Sequence, residues 1–547
     1  MFETGLTPLA PVLILMSGAA ITKIAARLIP LRERDALALL MAGGAFVSAL
    51  LLARRPTSPV VISPWHPLAL FGSQLAYTAE GLAAPFALLT SLVCLAVVIS
   101  LSRGRRETDD NGDSSLYPTV FVVSAAGLSF IYSANLITLC LSWAFLDLSL
   151  LFLAVGRRCN RVASGAQGRA LLLSSLTGLS LVVVALLPDS YGPSPTLAPS
   201  LLLLAALVRA SFYPLHFWML AAAEMEPPAN ALLQTVPIAA GFSLLAGLQE
   251  FSPQGLPYQG PLIVISSLAV LATALSAWAE QDRRRAVSWV ALNQIALVVL
   301  AIAVAGRSKS AVLWPAINLA LCLSLLHLWP PEGAGRYGHW LRLPTGLAIA
   351  SLMGLPFTMG FMGRIALHRS LSALGQPHLW ALSIMADTFL VAALFRIGAN
   401  LVQFSIPNSQ FFPWWVPHLA GVTILAAPLV LLGVHPPLAN FLAAGMDLPA
   451  VAGLIGRAGI ALWAALLLPL MGGYLLHRVR KATLDRAAAF RKGLNTLLGL
   501  DWLYHWLWEG GRVIGAVLRG LARITEGEGY LGWTLLLAFI AFLLLSR

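Results

Sequence analysis

Charge is what this sequence has least of. Asp, Glu, Lys and Arg make up only 11% of its 547 residues, against 58% hydrophobic, and the mean hydropathy is +0.81. A soluble chain carries about 25% charged residues, so this one has lipid for much of its solvent. Lysine is scarcer still, standing only at positions 23, 309, 481 and 492, so the net charge of +12 comes from arginine. The four cysteines, Cys94, Cys140, Cys159 and Cys322, have no metal-ligand spacing and imply no redox or metal centre. There is no Gly-rich phosphate loop after a strand and no usable Ser-His-Asp order, so the chain is expected to hold no cofactor and no catalytic centre of its own. The arginines lie in short loops between apolar runs, a pattern of topology signals and not of a nucleic-acid-binding face.

What is there is a series of apolar runs of roughly 18 to 25 residues, long enough to cross about 30 Å of hydrocarbon as helices. Candidate spans begin near Leu6, Asp35, Tyr77, Tyr117, Leu136, Arg169, Pro199, Ala229, Pro261, Ala286, Ser310, Leu343, His378, Val416, Val451 and Tyr530. The expected fold class is an all-α polytopic membrane protein of about sixteen transmembrane helices. The first run has no basic residues before it and no clear cleavage site, so it reads as a retained span. With both termini outside, cytoplasmic loops hold nineteen basic residues and outer loops five. That bias supports the orientation, in a bacterial-type inner membrane.

Three segments do not read as spans. Residues 54 to 76 alternate β-formers with Pro and Gly and predict an extended hairpin-like cap. Residues 103 to 115 form a solvated loop. From about 478 to 526, basic residues interrupt Leu, Trp and Ala at helical spacing, as in an amphipathic helix lying on lipid or across neighbouring subunits, and Gly499 or the Gly510-Gly511 pair could divide it.

The stretch that organises the rest is LVRASFYPLHFWMLAAAEMEPPANALL, 207 to 233: an apolar helix carrying Arg209, broken at Pro214 and again at Pro227 and Pro228. Backbone breaks survive in hydrocarbon only where protein or water satisfies them, and they point to an ion or substrate path. This stretch resembles the signature of the antiporter-like membrane subunits shared by respiratory complex I, Mrp-type cation/proton antiporters and membrane-bound group 4 hydrogenases. QDRRRAVSWVALNQIA (281 to 296), GLPFTMGFMGRIAL (354 to 367) and LITLCLSWAFLDLSLLFL (137 to 154) are similar to further motifs of that family, in its order.

The resemblance covers roughly residues 70 to 400. It implies two inverted repeats, 117–260 and 261–415, with broken helices near 207–233 and 343–370. They would stand between N-terminal spans over 1–116 and C-terminal spans over 416–477. The surface helix, 478–526, and a final span, 527–547, would follow, the helix resembling the family's lateral brace.

The family moves protons with lysines near the membrane midplane. The matching positions here read Arg209, Arg284 or Arg285, and Arg364. Arginine stays protonated, so it can gate, hold water or pin a carboxylate but cannot shuttle. The family's fifth-span glutamate is Ala144, with Asp147 three residues on and close to the same helix face. Asn318 and Cys322 take the places of a histidine and a lysine, and Gln234 that of the histidine closing the main motif.

The remaining ionisable groups are the candidates for a proton path or gate. Asp147 is expected to pair with Arg209, as a structural pair or as a charge that moves in turnover. Asp387 and Arg396, nine residues apart, point to different faces and need separate partners. His216 is either packed among aromatics or a relay. Glu224 is either a solvated carboxylate or a point of proton uptake. His327, near a span end, reads as solvated.

Protons or sodium ions, lipid, other membrane subunits and a peripheral enzyme subunit are the partners to expect. Two functions fit best: an ion-translocating antiporter-like subunit of a complex I-like or Mrp-like assembly, or a non-pumping membrane partner of a peripheral enzyme, as in inorganic-carbon uptake. A transporter of organic solutes fits less well, since the motifs match one family in order.

Overall fold

In the computed structural model the described residues are 7–54, 59–62, 74–102, 116–155, 174–175, 177–182, 197–251, 256–305, 309–328, 342–399, 415–441, 460–484 and 488–525. The expected loop at 103–115, the start of the sixth span and the final span over 527–547 lie outside them. Among the described residues ten helices are long and apolar enough to cross a membrane, and four shorter apolar helices accompany them.

Helices α1 (Ala10–Leu28) and α2 (Leu31–Arg54) precede a two-stranded antiparallel ribbon, β1 (Val60–Ile62) and β2 (Leu75–Tyr77), paired Val60 to Tyr77. This ribbon is the expected hairpin-like cap, and Thr138 and Asn135 at the start of the fifth helix tie it down by hydrogen bonds to the chain at Ala76 and Gln74. Helices α3 (Ala83–Leu101), α4 (Leu116–Ile131) and α5 (Leu136–Val155) follow.

Next come α6 (Leu197–Arg209), the short α7 (Phe217–Ala222), α8 (Pro227–Phe251), α9 (Gln259–Ala279), α10 (Arg283–Ala305) and α11 (Lys309–His327). A second interrupted pair, α12 (Leu343–Met353) and α13 (Met359–Ala373), leads to α14 (Pro377–Ala399), α15 (Trp415–Val434) and α16 (Ile460–Leu484). Proline opens several of these helices, where its missing N–H costs nothing. α10 is buried along its apolar length and is the central helix of this unit.

Both interruptions satisfy their own backbone. After Arg209 the chain takes φ 61° at Ser211, the Ser211 N–H donates to the Val208 carbonyl at 3.1 Å, and that of Phe212 donates to Leu207 at 2.9 Å. A cis Tyr213–Pro214 bond follows before α7. At the second break Gly354, φ 75°, ends α12 in the left-handed conformation that glycine favours. The Leu355 N–H donates back to Ala350 at 3.0 Å. Ser351 then bridges the gap, its hydroxyl accepting from the Gly360 N–H at 3.0 Å. Gly360 is required there, because a Cβ would run into the Ser351 carbonyl.

α8 packs against α6 and α11, and α11 against α12 and α13. One close approach sets the first break against α8: a Cβ on Gly241 would lie 2.6 Å from the backbone nitrogen of Ala210, the residue after Arg209. Gly241→Val is therefore expected to destabilise the protein by about 1–3 kcal/mol, read as a lower unfolding temperature in detergent.

The C-terminal residues form a separate unit beginning at Ala488. There α17 (Ala488–Gly499) and α18 (Asp501–Thr525) meet at Leu500, φ 57°. The division thus falls at Gly499, whereas Gly510 and Gly511 sit inside α18. Trp502, Trp506, Val513, Val517 and Leu518 are exposed within this unit, and Arg512 pairs with Glu509 at 2.9 Å. An exposed pair of that kind contributes little to stability.

Candidate ion path: a buried row of polar side chains

The row begins at the first break. Arg209 ends α6 buried, and its Nη1 donates to Asp147 Oδ1 on α5 at 2.6 Å. The guanidinium lies over the Trp143 ring, 3.9 Å from its centroid, with the Phe130 ring at 5.5 Å. Ser174 donates its hydroxyl to the same carboxylate oxygen at 2.9 Å, and Trp143 Nε1 donates to Ser174 Oγ at 3.1 Å. A buried charge needs a partner and further hydrogen bonds, and Asp147 has both. The Asp147–Arg209 pairing expected from the sequence is present.

His216 lies two residues past Pro214, fully buried, stacked on Tyr213 and tilted against Trp289 of α10. Its Nδ1 is 3.3 Å from the Pro214 carbonyl. Glu224 is exposed on the connection to α8.

The next node is neutral. Gln234 and Asn230, one turn apart on α8, face His327 at the end of α11. His327 Nε2 is 3.0 Å from Gln234 Oε1, and its Nδ1 is 3.2 Å from Asn230 Nδ2. Gln234 Nε2 donates to Asn230 Oδ1 at 2.7 Å and to Ser288 of α10 at 3.3 Å. The sequence expectation of a solvated His327 is wrong. Its side chain is buried because the first turns of α8 lie level with the last turn of α11. Removing Gln234's polar head with Leu would strand the His327 ring and Ser288. It should cost about 1–3 kcal/mol for each unmet buried group, measurable in a denaturation series.

Toward the second break, Asn318 on α11 accepts from the Ser351 hydroxyl at 2.6 Å, with Cys322 Sγ at 3.6 Å. Arg364 of α13 then closes an ion pair with Asp387 of α14 and donates to the Leu352 carbonyl at 2.9 Å. Its side chain crosses the space a Cβ on Gly354 would fill. The expectation that Asp387 and Arg396 take separate partners is met: Arg396 Nη2 donates to the Ala277 carbonyl at 3.0 Å, near the end of α9. His368, one turn beyond Arg364, lies buried with Nε2 3.7 Å from Asp387 Oδ2.

The candidates do not all belong to this row. Arg284 and Arg285 are exposed in the first turn of α10 and make no contact with the buried row among the described residues.

With this geometry in place, the comparisons are specific. Residues 133–328 match the family model described as NADH:quinone oxidoreductase/Mrp antiporter, transmembrane. That segment, from the start of the fifth helix to the end of α11, is where the chain is similar to the antiporter-like family. NADH-quinone oxidoreductase subunit N of Mycobacterium sp. (strain JLS) is 24% identical over 355 residues, which are 57% of this chain and 74% of that one. In the Mrp complex from Dietzia sp. DQ12-45-1b, one chain superposes with a TM-score of 0.76 at 22% identity. That match covers 98% of this chain and spans 62% of the Mrp chain. A chain of the membrane-bound sulfane sulfur reductase, an archaeal respiratory membrane complex, gives a TM-score of 0.72 at 19% identity, covering 98% of this chain and all of that one.

The antiporter-like core is thus a multi-pass membrane fold whose relatives are subunits of multi-subunit membrane complexes. Sequence reasoning missed two of its buried histidines. His327 was misplaced by its nearness to a span end. His368 was overlooked, although its spacing of four from Arg364 puts both on one helix face.

Proposed function

We propose that this antiporter-like subunit translocates protons, or sodium ions, within a complex I-like or Mrp-like assembly, along the buried row from Asp147 to Asp387. The observation that carries the reading is the recurrence of one device at two helix breaks. Arg209 pairs with Asp147 at the first, and Arg364 with Asp387 at the second. Between them run Gln234, Asn230, His327, Ser288, Asn318 and Ser351. Gly241 and Gln234 are seven residues apart on α8, so the first pair and the neutral node are separated by about 10 Å along the helix. A gap of that length needs more than one bridging water in the working protein.

In this mechanism the arginines are fixed cations that orient each aspartate, while histidine and water pass the ion along beside them. His216 lies beside the first break and Glu224 at its exposed end, suiting them to uptake. Two inverted repeats around the two breaks, about sixteen spans, both termini on the outer side of a bacterial-type inner membrane, and lipid or a neighbouring subunit against α17 and α18 complete the proposal. The kinship to quinone oxidoreductase and Mrp proteins favours it over a closed platform for a peripheral enzyme.

The test is flux. The protein, with whatever co-purifies, is placed in liposomes holding a pH-sensitive dye, and an imposed potassium diffusion potential drives cations inward. Acidification well above that of empty liposomes, or sodium uptake under the same potential, is expected. Neither ion moving would refute the proposal.

A further inference from the structure

We infer that His368 is the proton-carrying group that links the buried Arg364–Asp387 pair to water at the end of α13. The inference rests on the translocation reading above and names the residue that does at the second break what no lysine is present to do.

The argument starts from elimination within a small cluster. Arg364 keeps its proton, and Asp387, in contact with it, has a fixed counter-charge. His368 is the third member and the one whose ordinary range lies near neutrality. It is 1% exposed, and neither ring nitrogen has a hydrogen-bond partner among the described residues. A buried imidazole normally satisfies at least one nitrogen, and the nearest acceptor on offer is the Asp387 carboxylate. Its Nε2 is 3.7 Å from Asp387 Oδ2, longer than a hydrogen bond, and a small ring rotation closes the gap. The Trp380 ring meets it edge-on and limits where it can turn.

Position completes the case. Arg364 and His368 are one turn apart on α13, and one turn further, residues 372–378 are exposed. His368 therefore stands midway between the ion pair and water, about 6 Å from each along the helix. Its charged neighbours are Arg364 on its own helix and Asp387 on α14. α10, α11, α12, α15 and α16, which also pack on α13, give it no ion pair or hydrogen bond among the described residues.

The step is a single proton transfer. Hydronium at the exposed turn gives its proton to a ring nitrogen and leaves as water, and Asp387 swings from Arg364 to the imidazolium. To release it toward the row, the imidazolium gives its proton to a water on that side, which leaves as hydronium, and the carboxylate of Asp387 returns to Arg364.

Two measurements on the full-length protein test it. Histidine C2 hydrogen exchange, read by mass spectrometry across pH 5 to 9, uses exposed His378 as its reference. His368 is expected to take up deuterium at C2 in the wild type, and to do so at a different rate in Asp387→Asn. No exchange at His368, or a rate unmoved by Asp387→Asn, overturns the inference whether or not the wild type conducts. The second measurement is liposome flux of His368→Gln, expected to fall at least tenfold with the unfolding temperature unchanged. Full flux in His368→Gln overturns the inference while leaving the translocation reading standing, whereas a silent wild type with an exchanging His368 overturns only the latter.

Discussion

Asp147→Ala is expected to destabilise the protein by about 3–5 kcal/mol, because removing one partner of a buried ion pair leaves the other charge uncompensated. Arg209 would keep the Trp143 and Phe130 rings and a 3.4 Å contact to the Trp143 carbonyl. A cation over an aromatic face returns about 0.5–2 kcal/mol, well short of the loss. Asp147→Leu combined with Arg209→Met should recover most of the stability, since apolar replacements of similar volume often match or exceed a buried pair. Denaturation of the two single variants and the double variant measures the coupling. Equal stability of Asp147→Ala and wild type would mean that water already reaches Arg209.

Asp387→Ala is expected to reduce ion flux at least tenfold and to destabilise the second break by a comparable amount. Its carboxylate faces Arg364 and His368 together, so its removal strands one cation and any proton arriving at the histidine. Arg364 would retain the Leu352 carbonyl, a neutral acceptor that cannot balance its charge. Asp387→Glu keeps the charge but displaces it by one methylene, and partial flux is the expected result. Liposome flux normalised to reconstituted protein reads both. Undiminished flux in Asp387→Ala would put the second pair outside the path.

The site was legible in the sequence wherever a charge stood inside an apolar run. Burial cost, about 2.5–3.5 kcal/mol on insertion scales, said that Asp147 needed a partner or water, and the family resemblance named Arg209 as that partner. Helix spacing separated Asp387 from Arg396 but could not find Arg364 as the partner, since 22 residues and a helix boundary lie between Asp387 and Arg364. Neutral groups came to notice only where a motif position marked them, as at Gln234 and Asn318. Gln234, Asn230 and Ser288 carry no burial penalty large enough to announce themselves, and their network with His327 depends on the relative depth of α8 and α11. Arg284 and Arg285 show that a motif match fixes order along the chain but not burial, since both are exposed. Helix positions followed from apolar run length, the first interruption from Pro214, and the second from the family resemblance of 354–367, where the chain turns at Gly354.

The central claim is that the buried ion pairs exist for ion movement and not for stability. The most direct test is flux through the Asp147→Leu, Arg209→Met double variant, once its unfolding temperature is shown to match the wild type. The account predicts a folded protein whose flux falls to the level of empty liposomes. Wild-type flux through that apolar replacement would contradict it, leaving the first pair a structural element of the broken helix.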